Sequence, residues 1–151
     1  MTSDLQRENE ELRRRLAELM ERARYNERVL ARFQKVELRL IAIVGFRELV
    51  EAIVEDYREA FELDQVSLAL IDADYELRRT LMDANAFPPA IPGLVIFDHA
   101  AYLSGLFGTR LEPVLGPYDP ARHRILFPSA VPHVSVAILP LMRWGRLVGS
   151  L

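Results

Sequence analysis

The sequence predicts an α+β fold, an antiparallel sheet with helices gathered on one face, preceded by a long N-terminal coiled-coil helix. Three observations carry this. Residues 3–44 hold an unbroken helical pattern with a heptad seam in its first part. Residues 46–61 repeat apolar side chains at 3.6 spacing, with glutamates outside. The chain closes with His133 to Met142 and Arg146 to Leu151 about a turn at Trp144-Gly145. Both arms are apolar on both faces, as strands are when a sheet is covered on both sides.

The chain has 151 residues, half of them hydrophobic, enough for one compact domain with an appended helix. It has no cysteine, which excludes a disulfide scaffold, a thiol nucleophile, a cysteine zinc site and thioether attachment of a chromophore. A formal charge of -3 supplies no basic field for nucleic acid. No apolar run reaches the roughly eighteen residues of a membrane span, and the N-terminus is too charged for a secretion signal. A cytoplasmic protein without nucleic-acid or membrane partners is expected. Lys35 is the only lysine among many arginines, and no function attaches to that bias.

Taken in order, Ser3 with Gln6 fits a capping box. Leu5, Leu12, Leu19, Asn26 and Phe33 then repeat every seventh residue, and Asn9, Leu16, Ala23 and Leu30 take the companion positions. That is the a/d seam of a coiled coil, with Asn9 at an a position, where it costs stability but fixes register and favours a parallel dimer. Glu10 with Arg14, Glu11 with Arg15 and Glu18 with Arg22 add i to i+4 support. These nine seam residues are the candidate dimer interface. The alternative is an amphipathic helix lying along its own domain, and the Ala23 and Asn26 layer weakens the seam. The pattern thickens from Val29 through Val36 to Val44, where the helix is expected to pass into the domain. Residues 1–28 are therefore assigned to the coiled coil and 29–151 to the domain.

Gly45 breaks the first helix, and Phe46, Leu49, Val50, Ile53, Tyr57 and Phe61 trace the second. Val66 to Asp72 reads as a strand apolar on both faces, Asp72-Ala73-Asp74 as a turn, and Tyr75 to Met82 as a returning, more polar strand. Arg78 and Arg79 place that strand at an edge or a solvated face. Asp83 to Gly93, with Pro88, Pro89 and Pro92, is a loop. Leu94 to Phe97 is a short apolar segment, and Asp98 is placed to cap a helix running to Phe107, ended by Gly108. Pro113 to Pro117 reads as an edge strand. Asp119-Pro120 opens a short helix to Phe127, closed by Pro128.

This order of elements is of the GAF/PAS type. Gln65-Val66-Ser67-Leu68-Ala69-Leu70-Ile71-Asp72 after helix 46–61, and Ile138-Leu139-Pro140-Leu141 followed by Gly145 and Leu147 to Leu151, resemble a GAF domain. The whole chain is similar to the bacterial domain-of-unknown-function family numbered 484, in which a long helix precedes a GAF-like domain. Leu106-Phe107-Gly108, Pro113 to Pro117 and Leu126-Phe127 match that family's middle section. The resemblance implies a small-molecule sensor or dimerisation module, since some GAF domains bind cyclic nucleotides, chromophores or metabolites. It implies no established activity. Family members continue past Leu151 into more strand and a C-terminal helix, so the domain is expected to be truncated at its C-terminus. Part of the apolar sheet is then expected to be covered by the first helix or a second subunit.

No constellation for catalysis stands out. His99, His123 and His133 lie on three elements without the spacing of a helical metal pair, and they read as surface or capping residues. Ser135 has no nucleophile-elbow context, and Asp72 with Asp74 reads as a turn rather than an acid/base pair. The remaining candidate is a pocket under the crossover from Asp83 to Phe127. Phe97, Tyr102, Phe107, Tyr118 and Phe127 are placed to line it, with His99, Arg122, Arg124 and Ser135 as polar anchors. The alternative is that the aromatics fill the core. The expected function is a non-enzymatic GAF-like sensory or dimerisation module, a homodimer through its N-terminal helix, with an unidentified small molecule or protein as partner. The alternative is a receptor for a nucleotide or other anionic metabolite, and an enzyme is the distant third. No cofactor and no metal are expected.

Overall fold

The computed structural model describes residues 2–83, 91–128 and 134–151. Residues 84–90 of the loop expected from Asp83 to Gly93, His133 and the side chain of Ser3 lie outside them. The chain divides into two compact units, residues 1–41 and 42–151. The boundary expected after residue 28 falls inside an unbroken helix.

The first unit is that helix, α1 (Thr2–Ile41), 40 residues long and so about 60 Å from end to end. It stops at Ile41, short of the Val44 expected. Glu11 pairs with Arg15 as the spacing predicts, while Arg14 reaches forward to Glu18 at 4.0 Å. These are exposed pairs and add only tenths of a kcal/mol each.

The second unit is α+β. It runs α2 (Phe46–Ala60), β1 (Leu68–Ile71), α3 (Glu76–Asp83), β2 (Leu94–Phe97), α4 (Ala101–Phe107), β3 (Val114–Pro117), α5 (Pro120–His123), β4 (Ser135–Ile138), β5 (Pro140–Arg143) and β6 (Arg146–Ser150). Four strands form a sheet in the order β2-β1-β6-β5, and β3 pairs with β4 in a separate two-stranded sheet. Strand β6 is interior, as expected. Its hairpin with β5 turns at Trp144 and Gly145, both with positive φ, the geometry that matches the twist of paired strands.

The pleat sends alternate residues to opposite faces, and both faces are apolar. Leu68 and Leu70 of β1 join Val50, Val54, Val66 and Ile91 in the cluster under α2. Ala69 and Ile71 join Phe97, Leu103, Phe107, Leu126 and Ile138 under the crossover. Helix α2 thus covers one face, with Glu48, Glu51, Glu55 and Glu59 outside. Helix α4 and the β3–β4 pair cover the other.

Several local expectations are corrected. Tyr75 to Met82 is not a strand: Glu76–Asp83 is helix α3. Leu77 and Leu81 share a face at i, i+4, and the buried Asp72 accepts the backbone N–H of Leu77 at 3.0 Å and of Arg78 at 3.1 Å. That carboxylate meets the helix's orphan donors, so the segment winds instead of extending. With no returning strand, β2 enters parallel to β1, Leu68 opposite Leu94, and the sheet is mixed rather than wholly antiparallel. Arg78 is not on a solvated edge; it bonds the Asp98 carboxylate at 2.5 Å and the Ile96 carbonyl at 3.3 Å. Asp98 therefore ties β2 to α3 and does not cap α4, which starts after Ala100 without a side-chain cap. Helix α5 ends at His123, not Phe127, although Asp119 caps it as expected through Ala121 N–H at 2.9 Å. The long arm of the last hairpin is two strands. Its β4 half pairs with β3, and Leu139 then exchanges both backbone bonds with Leu151 before β5 begins.

Candidate functional site

A cleft of about 470 Å³ opens in the second unit between the turn from α2 to β1 and the outer face of the β3–β4 pair. Cross-strand register builds that face. Leu115 stands opposite Ala137 and Pro117 opposite Ser135, so these four point outward together, while Val136 and Ile138 point into the core. Glu62, Leu63, Asp64 and Gln65 form the facing wall. Glu62 holds φ 54 because it ends helix α2 in a left-handed turn, where Leu63 N–H bonds the Arg58 carbonyl at 2.9 Å and Glu62 N–H the Glu59 carbonyl at 3.4 Å. Tyr118 and Phe127 close the cleft, their rings meeting edge to face with centroids 6.3 Å apart. Leu63 and Leu115 remain 46% and 76% exposed, so the cleft presents unburied apolar surface.

The expected pocket residues divide into three groups. Tyr118, Phe127 and Ser135 come together in this cleft. Phe97 and Phe107 are buried in the core cluster, with Tyr102 stacked on Phe97 at 5.5 Å from the outside. His99 is exposed between β2 and α4, and Arg122 and Arg124 are exposed on and after α5, away from the cleft lining. The wall from Glu62 to Gln65 was not legible as a site. It reads as an ordinary helix-to-strand turn, and only the fold brings it against β3 and β4.

Of the two roles expected for the histidines, surface or capping, His123 is buried and takes the second. Its Nδ1 accepts the backbone N–H of Asp119 at 2.9 Å, which places the remaining ring proton on Nε2. Burial, reinforced by the Arg122 charge and opposed by Asp119, holds its pKa below the ordinary histidine value. The ring also lies 5.7 Å from Tyr118, so it braces the wall of the cleft.

Among the described residues no group of three or more His, Asp or Glu side chains is placed to hold a metal ion. No helix among them is long and apolar enough to cross a membrane. On the first unit, the candidate dimer residues line α1, where Leu5, Leu12, Leu16, Leu19 and Leu30 are each 58% to 66% exposed. Asn9, Ala23 and Asn26 are exposed beside them, and Phe33 is 39% exposed.

No curated protein matches the chain significantly. The family model described as a protein of unknown function, DUF484, matches residues 2–147, and the chain belongs to that family.

Proposed function

We propose that this DUF484 protein is a non-enzymatic, GAF-like module of the cytoplasm that dimerises through its N-terminal helix and serves as a signalling or interaction scaffold. The observation that carries the reading is the row of leucines on α1. Five leucine side chains at a/d positions stand more than half exposed on a single chain. With more than half of each side chain in water, its burial is worth on the order of 1–2 kcal/mol, and a second copy of the same helix offers a matching seam. Asn9 is exposed at an a position, where it sets the register of a parallel pair. The reading of the second unit as non-catalytic rests on its residues. Asp72 is committed to helix capping, and His123 is held by its own turn.

The alternative, a receptor for a nucleotide or other anion, relied on Arg122 and Arg124. Neither lines the cleft, whose wall carries Glu62 and Asp64 instead. Sedimentation velocity of the full chain, with and without residues 1–27 and as Leu16→Lys/Leu19→Lys, tests the proposal. A dimer that becomes a monomer in both altered forms supports it. A monomer in all three refutes it.

A further inference from the structure

The cleft against β3–β4 has a chemistry of its own. Its apolar surface comes from Leu63, Leu115 and the aromatic pair Tyr118 and Phe127, and its charge comes from Glu62 and Asp64. No arginine or lysine is among the described residues lining it. Aromatic faces carry negative quadrupoles and attract cations, and carboxylates reinforce that attraction. An anion entering here would lose hydration without meeting a counter-charge. A neutral apolar molecule would cover Leu63 and Leu115 but leave the Asp64 carboxylate without gain. An organic cation with an apolar body satisfies both halves at once.

We propose that this cleft is a binding site for a small organic ammonium ion with an aromatic or alkyl body. The body lies on Leu115 and Leu63 over the outward face of the β3–β4 pair, and the ammonium group sits toward Asp64, with Tyr118 and Phe127 at the closed end. The volume of about 470 Å³ falls in the range of sites for small ligands. Asp64 lies in the turn between helix α2 and strand β1, exposed at the mouth of the cleft. The proposal concerns the second unit alone and does not depend on dimerisation.

The test is a titration of the full chain, followed by backbone amide NMR shifts, with phenethylammonium and its two isosteres, neutral 2-phenylethanol and anionic phenylacetate. Phenethylammonium should give saturable shifts confined to residues 62–65, 115, 116, 118, 127 and 135–137. Affinity for 2-phenylethanol should fall about threefold to fivefold, the worth of one exposed charge pair, and phenylacetate should not bind there. Asp64→Asn, at an exposed position, should reduce phenethylammonium affinity by a similar factor and leave 2-phenylethanol unchanged. Equal binding of phenylacetate, shifts centred elsewhere, an unaltered affinity in Asp64→Asn, or no saturation with any of the three would each overturn the assignment.

Discussion

Gly149→Ala tests the architecture at its tightest point. Gly149 lies in β6 opposite Leu70 of β1, where a β-carbon would stand 2.2 Å from the Ala69 carbonyl oxygen and 3.1 Å from Leu70 Cδ2. An ordinary carbon–oxygen contact is about 3.3 Å, so the two strands must separate by roughly 1 Å. The obstacle is backbone within a ladder and has no rotamer to change. Separation by that much lengthens the bonds of the Ala69–Ser150 and Leu70–Gly149 pairs beyond useful range. Losing two or three bonds at about 1 kcal/mol each, plus about 1–2 kcal/mol of repacking in two buried clusters, predicts a loss of about 3–5 kcal/mol. At roughly 4 °C per kcal/mol this is a fall in Tm on the order of 15 °C. Thermal and urea unfolding followed by circular dichroism measures it. Gly105→Ala is the comparator: its β-carbon meets nothing within 4 Å on helix α4, and it should stabilise by about 0.5–1 kcal/mol. A Gly149→Ala protein within 1 kcal/mol of the parent would refute the pairing of β1 with β6.

Other outcomes follow from single contacts. Asp72→Ala removes the acceptor of two backbone N–H groups at the start of α3 and should lower the unfolding free energy by about 1–2 kcal/mol in urea titration. His123 has a folded pKa below its unfolded value, so its neutral form supplies stability that is complete above about pH 6.5 and lost as pH falls through the folded pKa. His123→Asn, which offers Oδ1 as the acceptor for Asp119 N–H, should flatten that part of the stability profile. Equal slopes in the two proteins below about pH 6.5 would sink the assignment.

How much of this was legible in the sequence depended on whether the determinant was local. The helix over residues 46–61, the Asp119-Pro120 cap and the Trp144-Gly145 turn rest on spacing or backbone preference within a few residues, and each is found where it was expected. Helix α3 reads as a strand from its own residues because its deciding contact comes from Asp72, outside the segment, whose carboxylate serves two N–H groups that an extended chain would present elsewhere. Asp98 was misread for the same reason: as a cap it fits its own neighbourhood, yet its partner Arg78 lies 20 residues earlier. The split of the last arm at Leu139 depends on which strand each half meets, β3 or β6, and alternation of apolar residues is the same on both sides of the break. The cleft combined both cases. Tyr118, Phe127 and Ser135 stand out in the sequence by residue type and all line the cleft, while Glu62 to Gln65 face them only through the fold.

The alternation of sizes along β1 has a consequence for assembly of the sheet. Leu68 and Leu70 face one cluster, and the fully buried Ala69 occupies a slot in the other. A slip of one residue would force a leucine into the space of an alanine and swing the small side chain into a cavity sized for a large one. The first error carries a penalty of about 1–3 kcal/mol and the second about 2–5 kcal/mol, before any lost hydrogen bond is counted. The strand behaves like a key cut on both edges, which turns only when both profiles engage. Because its partners β2 and β6 arrive from distant parts of the sequence, this double profile rejects misaligned pairings at the moment of docking, when the chain is most open to them.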